Sequence, residues 1–113
     1  MEDLDKLLDI AKEAATLAGD FLKKSLNTDL EILLDEGRDL KLQIDQDAEA
    51  LIKDYIKSKS GLPILAEESG ISEDLGDSFW VIDPLDGTAN FLRNIPICCV
   101  SIAMMYESVP VLG

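Results

Sequence analysis

Asp83 and Asp86 stand three residues apart behind the apolar run Phe79-Trp80-Val81-Ile82, with Gly87-Thr88 directly after them. Carboxylates this close repel each other unless a hard cation neutralises them, and hard divalent cations prefer oxygen ligands. Pro84 fixes one backbone dihedral and biases Asp83 toward an extended conformation, so a sharp bend is expected after the strand. Such a bend aims both carboxylates and the Leu85 carbonyl at one point. Gly87 permits a close backbone approach, and its N–H and that of Thr88 can face a phosphate. A cation site beside an anion site suggests metal-assisted phosphate chemistry. Asp-x-x-Asp alone is a weak pattern, since acidic turns are common. Asp-Pro-Leu-Asp-Gly-Thr behind an apolar strand is a specific one.

Glu67 and Glu68 end the preceding apolar run. In isolation they read as an exposed acidic loop. Beside Asp83 and Asp86 they read as the second wall of a cation cup, formed where two strands of one sheet both end in carboxylates. Asp45 keeps two open readings, helix N-cap and site carboxylate.

Other chemistries fail on composition or spacing. The chain has no histidine, which removes imidazole zinc sites, Ser-His-Asp triads and phosphohistidine mechanisms. An EF-hand starting at Asp45 would need Gly and Glu where Ala50 and Ile56 stand. A cysteine phosphatase needs an arginine six residues beyond its nucleophile, where Cys98 and Cys99 meet Met104 and Met105. A dehalogenase-type phosphatase needs Asp-x-Asp, and no Walker A or dinucleotide-binding glycine pattern occurs. The net charge of −13, from 23 acidic and 10 basic residues, repels nucleic acid and anionic membranes. The longest nearly apolar run, residues 95–106, is 12 residues long and contains a proline, too short to span a bilayer. With no basic, apolar leader at the start, a cytoplasmic location is expected. Cys98 and Cys99, adjacent in an apolar run, are expected to be reduced core residues.

The 113 residues suffice for one small domain with a real core and not for two. Residues 3–26 place Leu4, Leu7, Leu8, Ala11, Ala14, Ala15, Ala18, Phe21 and Leu22 at helical spacing, an amphipathic helix with a structural stripe. Residues 30–34 predict a short strand and 35–38 a turn, while 39–44 fit either a return strand or the approach to a helix. A second helix is expected over residues 46–59. Short buried strands follow at 63–66 and 79–82, separated by an acidic loop over 67–77. A short helix over 88–92 should open at Gly87, and strands over 98–106 and 109–113 should form a hairpin about Glu107-Ser108. The sequence stops inside an apolar strand with no polar tail. Residues 1–113 are therefore read as the N-terminal α+β portion of a larger layered domain, truncated in a strand.

Ala66-Glu67-Glu68-Ser69-Gly70 and the stretch Trp80-Val81-Ile82-Asp83-Pro84-Leu85-Asp86-Gly87-Thr88-Ala89-Asn90-Phe91 resemble the inositol monophosphatase family of magnesium-dependent phosphatases. The likeness covers nearly the whole chain. Thr88-Ala89-Asn90-Phe91, and Ile95-Pro96 through Val100-Ser101-Ile102, are more similar to inositol monophosphatases than to nucleotide 3′-phosphatases. The resemblance implies an α+β fold of layered helices and a mostly antiparallel sheet, of the sugar-phosphatase type. It implies a Mg²⁺ site using Glu67, Asp83, the Leu85 carbonyl and Asp86, with Thr88 beside it. It implies that Asp45 and Thr88 polarise the attacking water, that Glu67 takes part in catalysis, and that Gly87 and Thr88 face the substrate phosphate. Ile44 stands where the family has a threonine. The implied substrate is a small phosphorylated polyol or sugar, the complete protein a lithium-sensitive homodimer. The family's second half, with a further metal-binding aspartate and most of the substrate pocket, has no counterpart in these residues, so this chain alone is expected to be inactive. The alternatives are a non-catalytic oligomerisation or regulatory domain that keeps the fold, and a nucleotide 3′-phosphatase or fructose bisphosphatase of the same superfamily.

Overall fold

The structure, a computed structural model, describes residues 3–26, 32–36, 39–66, 70–71, 74–95 and 97–113. Helix α1, Leu4–Ser25, begins where the Asp3 carboxylate accepts from the Asp5 amide at 3.0 Å, and Lys23 and Lys24 lie in its last turn. Both ends thus complement the helix dipole. Its buried stripe is Leu7, Ile10, Ala11, Ala14, Ala18 and Leu22, close to the face expected from spacing. Strands β1, Ile32–Glu36, and β2, Asp39–Leu42, pair antiparallel, so residues 39–42 are the return strand.

Helix α2 runs Gln43–Lys59, three residues earlier than expected from sequence, and its N-cap position is Leu42. Asp45 is therefore not the N-cap. It sits one turn in, where its carboxylate reaches back to the Leu42 amide at 2.8 Å, the acidic half of a capping box.

A five-stranded sheet has the order β4-β3-β5-β6-β7, with β3 at Ile64–Ala66, β4 at Gly70–Ile71, β5 at Ser78–Asp86, β6 at Cys99–Tyr106 and β7 at Val109–Leu112. Only β3 and β5 run parallel; the other neighbours are antiparallel. Glu107 and Ser108 close the β6-β7 hairpin with φ of 48° and 67°, the twist a two-residue turn requires.

Helices α1 and α2 cover one face of the sheet. Leu7, Ala14, Ile52, Ile56, Trp80, Ile82, Ile102 and Met104 make up most of the main core there. The Trp80 indole N–H keeps a partner in this core, the Ser60 hydroxyl at 3.3 Å. A second cluster of Leu22, Leu42, Ile44, Ala48, Leu85 and Phe91 lies at the end of the sheet where the acidic motif emerges. Ile44 is buried in it. No helix among the described residues is long and apolar enough to cross a membrane.

Candidate active site

The expected sharp bend after β5 is instead a bulge within the strand. Asp83 pairs with Ser101 and Asp86 with Cys99, so Pro84 and Leu85 together stand opposite Val100. Proline has no amide to donate, which suits it to a bulge. The Leu85 amide leaves the ladder too, donating to Asp83 Oδ1 at 3.2 Å. Leu85 carries its side chain into the second core cluster, 2 % exposed, and its carbonyl accepts from the Thr88 hydroxyl at 3.2 Å. Packing of one apolar side chain thus sets the direction of a polar backbone atom.

Parallel pairing of Ala66 with Ile82 brings the end of β3 level with the residue before Asp83. Glu67 and Glu68, the residues that follow β3, lie outside the described residues.

Thr88 begins α3, Thr88–Leu92, and its hydroxyl also reaches Asp45 Oδ1 at 3.1 Å, across 43 residues of sequence. With Leu42 on the other oxygen, the Asp45 carboxylate is 2 % exposed and hydrogen-bonded on both sides. Burial raises its pKa above the ordinary value of 3.8; the Leu42 and Thr88 bonds pull it down, and the Asp83 charge pushes it up again. The net direction is upward.

Asp45 links the stability of the fold to pH. The folded state holds the proton more tightly than the unfolded chain, so the carboxylate opposes folding increasingly as pH rises above about 3.8. Asp45→Asn keeps an acceptor for Leu42 and gives up the buried charge. In metal-free buffer this variant should melt above the parent protein at neutral pH, and the two curves should converge as pH falls below about 4. Calorimetry across pH checks this; a variant that melts lower at pH 7 would contradict it.

Gly87 joins the strand to α3 in the left-handed region, with φ of 95°. A Cβ built there would lie 2.8 Å from the Ile97 carbonyl oxygen, with Cys98 Cβ at 3.1 Å and Cα at 3.2 Å. Only glycine fits both the dihedral and the space.

Asp86 is the last residue of β5. It is exposed, and Cys99 Sγ approaches its Oδ2 at 3.9 Å. Both cysteines are exposed rather than buried in the core. For Cys99 the reason is strand parity: Ile102 and Met104 point at the helices, so Cys99 and Ser101 face the other way, while Cys98 precedes the strand. Desolvation, with the Asp86 and Asp83 charges, raises the Cys99 pKa, so it is a neutral thiol and a weak donor. Asp86, Gly87, Asn90, Ile97, Cys98 and Cys99 line an open cleft of about 370 Å³.

The structure therefore brings together Asp45, Thr88, the Leu85 carbonyl and Asp83 through a chain of hydrogen bonds, and sets Asp86 on the outer side of the same turn. Among the described residues no three Cys, Asp or Glu side chains form a ready metal cage. The oxygens on offer (carboxylates and one backbone carbonyl) are the donors that Mg²⁺ selects. Sequence reasoning missed the neighbours of the turn, Cys99 and the Ile97 carbonyl; strand alternation counted back from Met104 would have exposed Cys99.

The profile of the inositol monophosphatase family matches residues 3–113. The inositol-1-monophosphatase of a Synechocystis species is 41 % identical over 98 % of this chain and 40 % of its own length. Nus factor SuhB of Escherichia coli K12 is 42 % identical over 87 % of this chain and 38 % of its own. Among solved structures, the extragenic suppressor protein suhB of Bartonella henselae superposes with a TM-score of 0.84 at 32 % identity, covering 93 % of this chain and 42 % of that one. This chain thus spans about two fifths of the length of the curated relatives it matches.

Proposed function

This chain belongs to the inositol monophosphatase family, and from that premise we propose that the protein carrying it hydrolyses a small phosphate monoester, of the phosphorylated polyol or sugar class, with Mg²⁺ as cofactor. The observation that carries the reading is the Thr88–Asp45 hydrogen bond, which joins α2 to the Asp-Pro-Leu-Asp-Gly-Thr turn across 43 residues. A buried carboxylate is costly unless it is hydrogen-bonded. Here its two partners are the Leu42 amide and the Thr88 hydroxyl, and the hydroxyl leads through Leu85 to the carboxylate of Asp83.

Asp83, Asp86, the Leu85 carbonyl and Glu67 would hold the metal. Bound Mg²⁺ supplies neutralisation of the phosphoryl charge and lowers the pKa of a coordinated water. The chain's own part concerns proton placement. The Thr88 hydroxyl has one proton and two acceptors, Asp45 Oδ1 and the Leu85 carbonyl, so its oxygen keeps lone pairs free to accept from a water. That orients the water with its own oxygen toward the ester. Asp45, with its raised proton affinity, is suited to draw a proton through Thr88 as the water attacks. Gly87 and Thr88 present backbone amides to the phosphate, and Asp86 marks the mouth of the cleft.

A regulatory reading without catalysis is favoured by one observation, the name of the Escherichia coli relative, a Nus factor. Phosphate release separates the two. The full-length gene product should release phosphate from inositol monophosphate, with fructose bisphosphate and a nucleoside 3′-phosphate as comparison esters, and only when Mg²⁺ is present. Millimolar Mg²⁺ should also raise its melting temperature by several degrees through mass action, a rise that Asp83→Asn removes. No turnover of any ester, with no Mg²⁺ effect on melting, would favour the regulatory reading.

A further inference from the structure

The cleft beside Asp86 is lined on one side by Ile97 and Cys98, which lead into β6, and the Asn90 side chain bonds this wall. Asn90 Nδ2 donates to the Ile97 carbonyl at 2.8 Å. The Asn90 carbonyl accepts from the Ile95 amide at 2.8 Å and the Arg93 amide at 3.1 Å. Asn94 turns the chain between them with φ of 58°. The carbonyl that Asn90 holds is the atom standing 2.8 Å from the missing Cβ of Gly87. Asn90 thus presses the start of the return strand against the one residue that separates Asp86 from Thr88.

We propose that Asn90 is a positioning residue for the phosphatase reaction: it sets the spacing of Asp86 and Thr88 by holding the Ile97 carbonyl against Gly87. This rests on the function proposed above. Asn90 bonds the loop and not the reacting atoms. Thr88 has independent supports in Asp45 and Leu85, whereas the wall beside Gly87 depends on the loop. Releasing the loop therefore weakens the hold on the ester more than it disturbs the oriented water.

Asn90→Leu keeps the branched skeleton of the side chain and loses the donor, and Asn90→Ala loses both. In the full-length protein both variants should raise KM for inositol monophosphate about three- to tenfold, the worth of one hydrogen bond, with kcat changed less than about twofold. The Phe91 amide, bonded to the Gly87 carbonyl at 3.0 Å, reports on the turn directly. Its exchange with solvent should quicken about three- to tenfold in both variants. Asn90→Leu with the parent KM and parent exchange overturns the proposal. So does a loss of melting temperature and kcat at constant KM, which would make Asn90 a packing residue. If the unmodified protein hydrolyses no ester, the proposed function fails separately. Exchange at Phe91 then decides the clamp: unchanged rates in Asn90→Leu reject it, and faster rates support it.

Discussion

Thr88→Ala should lower kcat by about 10²- to 10³-fold while the protein stays folded, because the water loses the oxygen that orients it. The truncation also leaves Asp45 Oδ1 without its hydroxyl partner. Since the Thr88 side chain is half-buried, water can replace that bond, and the stability loss should stay near ~1 kcal/mol. The Thr88 bond is one of the three hydrogen bonds that pull the Asp45 pKa down. Without it that pKa rises further, and activity that needs Asp45 ionised falls away at a higher pH on the acid side. The acid limb of the residual rate profile should therefore move upward in pH. Thr88→Ser, which keeps the hydroxyl, should recover most of the rate. Parent-like kcat in Thr88→Ala would remove Thr88 from the reaction.

Gly87→Ala should be the most damaging single methyl in the described chain. A left-handed backbone costs an L-residue about 1–2 kcal/mol. The clash partners add to this, because the Ile97 carbonyl and Cys98 Cα are backbone atoms and cannot swing aside. A total of about 2–4 kcal/mol is expected, a fall in melting temperature of roughly 5–12 °C. Activity should be lost well below the melting transition, since relief of the clash moves Asp86 or Thr88. Gly19, inside α1 with nothing within 4 Å of a built Cβ, is the natural control. The same substitution there should stabilise by about 0.5–1 kcal/mol. Equal melting temperatures for Gly87→Ala and the parent protein would show that the turn can adapt.

Regular elements were largely legible in the residues. The α1 stripe, the short helix opening at Gly87 and the β6-β7 hairpin follow from spacing and turn chemistry, which are local. What failed was also physical. Nothing in Gln43-Ile44 separates the end of a strand from the first turn of a helix, so α2 was expected late and Asp45 was weighed as its cap. Its observed position satisfies a capping contact and a hydroxyl together, by reaching one turn back and 43 residues forward. Long-range contacts of that kind leave no periodic trace. Apolar neighbours do not fix the burial of the cysteines: alternation along β6 turns Cys99 outward, and Cys98 lies before the strand. The motif Asp83-Pro84-Leu85-Asp86-Gly87-Thr88 was recognised as a unit, and its bulge was not, since a proline reads as a strand's end.

That bulge also governs misalignment. Side chains alternate along a strand, so sliding β5 by one residue against β6 would turn Trp80 and Ile82 out of the core and drive Val81 and Asp83 into it. A slip would also carry Pro84 to a position that asks for an amide hydrogen, which proline lacks. Both penalties act before any ligand arrives. The proline that releases the Leu85 amide and carbonyl from the ladder therefore also makes the β5–β6 alignment single-valued, and a chain with alanine at position 84 would have neighbouring registers open to it as kinetic traps during folding.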